Sequence, residues 1–279
     1  MAVFSGRLGC YDDRMAWRSS WSTDTISRQT RILLAAVALG GLVWLERQRP
    51  LRRRTQPTGR RTAINLALGG IAALGAGTIQ DAVVGRAITW AERHGVGLTR
   101  WLPLPRWLAR ATGTILLDYT LWHWHRLNHR LPGLRTLHAV HHADLDLDVS
   151  TALRFHVGEM LASVPWRAAQ VVVLGVDRAT LRGWQTAVLV AIAFHHANLR
   201  LPARVDAALA ALVITPRLHG IHHAAQPDRL DTNFGTLLAL WDVLHGTRES
   251  RLDATKLVIG LPHTVGGATP SLGNSLLLR

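Results

Sequence analysis

Three histidine motifs carry the chemistry of this chain. His125-Arg-Leu-Asn-His129 has H-x-x-x-H spacing, and His138-Ala-Val-His141-His142 and His219-Gly-Ile-His222-His223 both read H-x-x-H-H. On a helix, residues four apart share a face, so His125 and His129 can offer both imidazoles to one metal ion. The H-x-x-H-H spacing sets its first and third histidines one turn apart with the middle one beside them. One such segment can serve two neighbouring ions. With 15 histidines in 279 residues, a single H-x-x-H-H arises by chance in roughly one chain in twenty-five, and two in on the order of one in a thousand. A structural reading has to be set beside this. Isolated histidines such as His94 and His263 read as ordinary core or solvated residues. Clustered imidazoles without a metal, however, repel as they protonate or strand polar groups near a membrane.

Cys10 is the only cysteine, so an intramolecular disulfide and thiolate metal sites are excluded. No H-E-x-x-H is present, and zinc needs only three or four ligands. Eight or more imidazoles point instead to two ions. Imidazole suits iron, copper, nickel and zinc alike, so residue chemistry does not choose among them. Asp144, Asp146 and Asp148, which follow the second motif, read as a solvated acidic turn rather than as ligands.

The elements that must position these groups are apolar. The runs are Ile32–Leu45, Ala63–Val84, Trp107–Trp124, Met160–Val176 and Leu181–Phe194, the last two joined by Asp177 and Arg178 as a hairpin. Ala63–Val84 is rich in Gly and Ala, which suits close helix packing in a bilayer. Between the first two runs lie Arg47, Arg49, Arg52, Arg53, Arg54, Arg60 and Arg61, a loop that the positive-inside rule puts in the cytoplasm. The second run then leaves the cytoplasm and the third returns. The hairpin starts and ends inside, so every histidine motif, with His195 and His196, falls on the cytoplasmic face. Residues 1–30 read as a mobile tail and not as a secretory signal.

Composition agrees. Hydrophobic residues make up 48%, mean hydropathy is +0.12 and net charge is +14, which fits apolar spans separated by basic loops. Nucleic-acid binding is the usual alternative for a pI near 11.6. The charge lies at the ends of apolar runs rather than along one polar module, which argues against it.

At these residues the sequence resembles the fatty acid hydroxylase/sterol desaturase superfamily of membrane di-iron oxygenases. Asp118-Tyr-Thr-Leu-Trp122 leading into His125-Arg126-x-x-His129 is similar to the first histidine box. Leu137-His138-Ala-Val-His141-His142 is similar to the second, and Thr215-Pro216-Arg-Leu-His219-Gly-Ile-His222-His223 to the last. Ser150-Thr-Ala-Leu-Arg-Phe-His156, His196-Ala-Asn198, Asn233-Phe-Gly235 and Trp241-Asp242 with Gly246-Thr247 extend the likeness. It is strong over about residues 110–250, rests on hydropathy alone over 31–110 and does not reach residues 1–30.

The resemblance implies an all-α, multi-span membrane fold with a cytosolic His-rich di-iron cap. The expected organisation is a tail over 1–30, spans and basic loop over 31–106, the di-iron domain over 107–250 and a C-terminal tail over 251–279. His125, His129, His138, His141, His142, His196, His219, His222 and His223 match the ligand positions. His195 and His156 come next, and His156 is alternatively a donor that holds a ligand or water. His123 is an extra histidine expected to face away from His125, and His245 stands where the family usually has an aromatic. The implied cofactors are two iron ions with O2 as co-substrate. The implied partners are a membrane lipid and a separate ferredoxin- or cytochrome-type electron donor, with no nucleic acid.

The expected activity is hydroxylation of a lipid C–H bond, on a fatty acyl or sterol-like substrate. A desaturase or ether-lipid monooxygenase would use the same site. A non-catalytic metal-binding or transport protein would place its ligands at the bilayer midplane, whereas here most lie past the ends of the apolar runs. A structural membrane protein with an empty site is separated from these by metal analysis.

Overall fold

The computed structural model describes residues 28–226, 231–264 and 266–278. Most of the expected tail, residues 1–27, lies outside them. The chain divides between Ala38 and Leu39. In the first unit, residues 28–38 are helical and expose Leu33, Leu34 and Val37.

The described residues are helical, with three isolated bridge pairs and no strand. In order the helices are α1 (Arg28–Gln48), α2 (Thr58–His94), α3 (Leu98–Trp101), α4 (Arg106–Arg130), α5 (Pro132–His142), a 3-10 turn (Val149–Leu153), α6 (Val157–Leu174), α7 (Arg178–His196), α8 (Ala203–Ala210), α9 (Pro216–His222), α10 (Leu240–Leu244) and α11 (Leu272–Leu277). The expected hairpin is α6–α7. Gly175 ends α6 in the left-handed conformation, with φ 70°, and the Asp177 carboxylate accepts from Thr180 N to start α7.

Helices α2, α4, α6 and α7 share one apolar core of Val84, Ile88, Leu117, Val171, Leu174, Val176, Leu181 and Trp184. The small residues of α2 let α6 approach: a Cβ on Gly75 would come within 2.9 Å of Val157 Cγ2. Outward faces remain greasy, with Leu66, Leu74, Ile115, Val173, Leu189 and Val190 exposed.

Among the described residues one helical stretch, Thr58–Trp101, is long and apolar enough to cross a membrane. Helices α4, α6 and α7, formed by later apolar runs, fall short on that measure. Polar residues within them lower the average: α4 carries Asp118 and its histidines, and α6 carries Glu159, Arg167 and Gln170.

The acidic turn is not solvated. Asp144, Asp146 and Asp148 are 0%, 7% and 3% exposed. Arg61 Nη1 donates to Asp144 Oδ2 at 2.8 Å, Arg61 also pairs with Asp148, and Asn65 Nδ2 reaches Asp144 at 3.0 Å. Asp146 accepts from the backbone N–H groups of Thr55 and Gln56 at 2.9 and 2.8 Å. Two arginines of the basic loop, Arg52 and Arg61, are therefore buried. Carboxylates spaced by two can each find a fixed donor once α2 packs against the turn, and a buried charge persists only when so paired.

The described residues 251–264 and 266–278 pack on the body rather than trailing from it. Ile259 bridges to Ala224, Leu272 and Leu276 lie against Ile64, Leu68 and Val140, and Ser275 Oγ accepts from Arg154 at 3.1 Å.

Candidate metal centre

Four helices end at one place and deliver histidines there. The last two turns of α4 and of α5 carry His125 and His129, and His138, His141 and His142; the last turn of α7 carries His195 and His196, while α9 and its C-cap carry His219, His222 and His223. The nine histidines expected as ligands gather into two groups. One holds His125, His129, His138, His142 and His222; the other holds His141, His196, His219 and His223. Within each, the candidate ligand atoms lie within 4.8 Å of one another. Both H-x-x-H-H segments split between the groups. His138 and His142 go one way and His141 the other, while His219 and His223 join His141 and His222 crosses over. The one-turn spacing of first and third positions has this consequence.

The rings are aimed from behind. His125 Nδ1 donates to the Phe234 carbonyl at 2.7 Å, His222 Nδ1 to Thr232 at 2.7 Å, His196 Nδ1 to Ile192 at 2.8 Å and His141 Nδ1 to Arg154 at 3.1 Å. A carbonyl only accepts, so each of these Nδ1 atoms carries the proton and each Nε2 is left as a lone pair. His138 Nδ1 faces Glu159 Oε1 at 3.0 Å, and Phe155 stacks on His141 with centroids 4.6 Å apart.

The liberated Nε2 atoms point at each other. Those of His129, His138 and His222 are buried without a hydrogen-bond partner. In the second group, Nε2 atoms lie 3.1 Å apart for His141–His196, 3.0 Å for His196–His219 and 3.1 Å for His219–His223. His141 and His196, whose Nδ1 protons are held by carbonyls, thus face each other through lone pairs, and facing lone pairs repel unless a cation lies among them. Metal–nitrogen bonds of about 2.1 Å at right angles put neighbouring nitrogens ~3.0 Å apart, so the donor set fits a transition metal.

Burial keeps eight of these imidazoles neutral, which is the form that binds metal. Desolvation, reinforced by neighbouring imidazoles, pushes His125 down to about 3. Desolvation pushes His196 down to about 4, and the same cause holds His129, His141, His142, His219, His222 and His223 well below the usual range.

Two expected residues stay outside both groups. His195 packs on His219 with centroids 4.0 Å apart, and its Nδ1 lies 3.2 Å from the Thr236 carbonyl. His156 caps α6: Nδ1 accepts from Gly158 N at 3.0 Å and Nε2 donates to the Leu276 carbonyl at 3.2 Å. Both of its nitrogens are thus engaged by backbone. His123 faces away from His125, as expected, and sits with Tyr119 and His245. His245 stacks on Trp122 at 4.2 Å.

Sequence reasoning missed Glu159, Arg154 and Phe234. Glu159 left one signal, a lone acid at the head of an apolar run. Arg154 is fully buried and spends its donors on Val140 O, Asn65 Oδ1 and Ser275 Oγ at 2.8, 3.0 and 3.1 Å, partners from three separate segments.

Residues 111–247 match the family described as fatty acid hydroxylase. The chain is 28% identical to alkylglycerol monooxygenase of Danio rerio over 54% of this chain and 32% of that protein. It is 31% identical to ornithine lipid hydroxylase OlsE of Rhizobium tropici over 48% of this chain and 40% of that protein. Alkylglycerol monooxygenase of Homo sapiens is 25% identical over 55% of this chain and 33% of its own length. The matched region thus spans two fifths or less of these relatives. No solved structure matches the chain.

Proposed function

We propose, from the match of residues 111–247 to the fatty acid hydroxylase family, that the chain is an integral membrane di-iron oxidoreductase that hydroxylates a lipid C–H bond. The observation that carries this reading is the convergence of nine imidazoles, seven of them buried, into two adjacent groups. His125, His129, His138, His142 and His222 would hold one iron ion, and His141, His196, His219 and His223 the other. Bound there, the iron pair supplies reductive activation of O2 against an unactivated C–H bond. One oxygen atom enters that bond as hydroxyl, and the other leaves as water with two electrons and two protons from outside. The electrons come from a separate ferredoxin- or cytochrome-type donor.

The chain's own residues prepare the site. Backbone carbonyls of Phe234, Thr232, Ile192 and Arg154 hold the Nδ1 protons, which fixes tautomer and ring angle. The Glu159 carboxylate behind His138 raises the basicity of that imidazole. His195 and His156 act as supports, one against His219 and one at the head of α6. Burial of the second group keeps water away from it.

In this reading α2 and the apolar helices α4, α6 and α7 pass through or dip into the bilayer, and the histidine groups lie at its cytoplasmic boundary. The exposed Arg47, Arg49, Arg53 and Arg60 favour that side. The apolar outer faces offer a lipid direct access from the bilayer.

Metal analysis after mild purification tests the site. About two irons per chain are expected, and less than about one per chain sinks the enzyme reading. Lipid profiling of an expressing strain against a His141→Ala control tests the reaction: a lipid gaining one oxygen atom is expected only with the intact site.

A further inference from the structure

His129, His138 and His142 of the first group form the floor of a cleft of about 250 Å3. The second group is buried throughout. The two groups are therefore not equivalent, and the first is the one a substrate can approach through this cleft. Its walls include Ala139 and Leu261, and its rim carries Arg135. Arg135 shares a face of α5 with His138, Ala139 and His142, which follow it by three, four and seven positions. It is exposed, and no carboxylate among the described residues pairs with it. The acid nearest in the lining, Asp231, is paired with Arg130 at 3.3 Å. Glu159 accepts from His138 and from Asn128 at 3.0 and 3.2 Å. The cleft thus runs from an unpaired guanidinium, past apolar side chains, to imidazoles.

We propose that this cleft is the substrate entrance and that Arg135 receives the anionic headgroup, a phosphate or carboxylate, of an amphiphile. The guanidinium presents a planar fork of donors that matches either oxyanion. Three helical residues rise about 4.5 Å, so the headgroup is held within roughly one turn of His138. The carbon that meets the first group is then one of the first few beyond the headgroup, not one in the middle of a chain. The oxidation at that carbon rests on the function proposed above; the binding does not.

The test is calorimetric titration of the full chain in a neutral maltoside detergent with dodecyl phosphate. Saturable binding is expected for the wild type, weakened roughly tenfold or more in Arg135→Gln. Arg182→Gln, an exposed arginine of α7 that does not line the cleft, is expected to bind as the wild type does. Inorganic phosphate is the arm without a chain, and its binding is expected to be weaker by on the order of a hundredfold. Arg135→Glu is expected to lose dodecyl phosphate and to gain dodecylammonium, a reversal that a misfolded variant could not produce. Equal binding by the wild type and Arg135→Gln overturns the proposal, and equal binding of inorganic phosphate overturns the assignment to an amphiphile. Iron-loaded protein that binds as expected yet forms no alcohol would sink the proposed function and leave the cleft assignment standing.

Discussion

Glu159 and Gly220 show how single residues govern the centre. Glu159 touches His138 from behind with one oxygen at 3.0 Å. Glu159→Gln keeps a polar group of the same shape and removes the charge. Metal affinity is expected to fall about 10- to 100-fold with the helical content unchanged, as read by metal titration beside circular dichroism. Gly220 lies between two histidines of the last box, and the buried Arg52 guanidinium rests on it: a Cβ there would meet Arg52 Nη1 at 2.3 Å. Arg52 is held in turn by Asn198, whose side chain accepts from Arg52 N and donates to Arg52 O, both at 2.8 Å. The Arg52 tip is flexible in principle, but burial limits where it can go. Gly220→Ala is expected to cost about 1–3 kcal/mol by overpacking, seen as a lowered thermal midpoint. An unchanged midpoint would mean that the guanidinium moves freely.

At the scale of elements, the decisive joint is the buried acidic turn between α5 and the 3-10 turn. Arg61 of α2 serves Asp144 and Asp148 at once, and Asn65, one turn further along α2, links Asp144 to Arg154. Through Arg154 this joint reaches His141, whose Nδ1 proton rests on the Arg154 carbonyl. Arg61→Met strands two buried carboxylates, and the expected loss is about 3–5 kcal/mol, measured as a shift in the denaturation midpoint. Arg61→Lys is not expected to restore the wild-type midpoint, because one ammonium lacks the fork that spans two carboxylates. Full stability in either variant would show that the turn is satisfied by other donors.

For the whole molecule, the packed imidazoles couple stability to pH. Burial puts His125 at about 3 and His196 at about 4, whereas an unfolded imidazole titrates near 6.5. Below about pH 6.5 the unfolded chain takes up protons that the folded chain refuses, so unfolding becomes easier as pH falls. The stability is fully present above about 6.5 and is lost progressively below it. The metal-free protein is therefore expected to show a falling thermal midpoint from about pH 7.5 to about pH 5.5, and the loaded protein to release metal on acidification as protons compete for Nε2. A midpoint that stays flat over that interval would contradict neutral, buried rings.

The spacing of the histidines was enough to put them on shared helix faces and to split each H-x-x-H-H between two positions, because a 3.6-residue period is a local property. The α6–α7 hairpin was equally legible from Asp177, Arg178 and the apolar runs on either side. Which faces meet was not. That His141 joins His196, His219 and His223 rather than its neighbours His138 and His142 depends on how α5, α7 and α9 pack. The fates of Arg52, Arg61 and the three aspartates, Glu159 behind His138, and the docking of residues 251–278 were likewise decided only by tertiary structure. A charge in sequence carries no mark of whether it will meet water or a buried partner many tens of residues away, and folding alone brings those partners together.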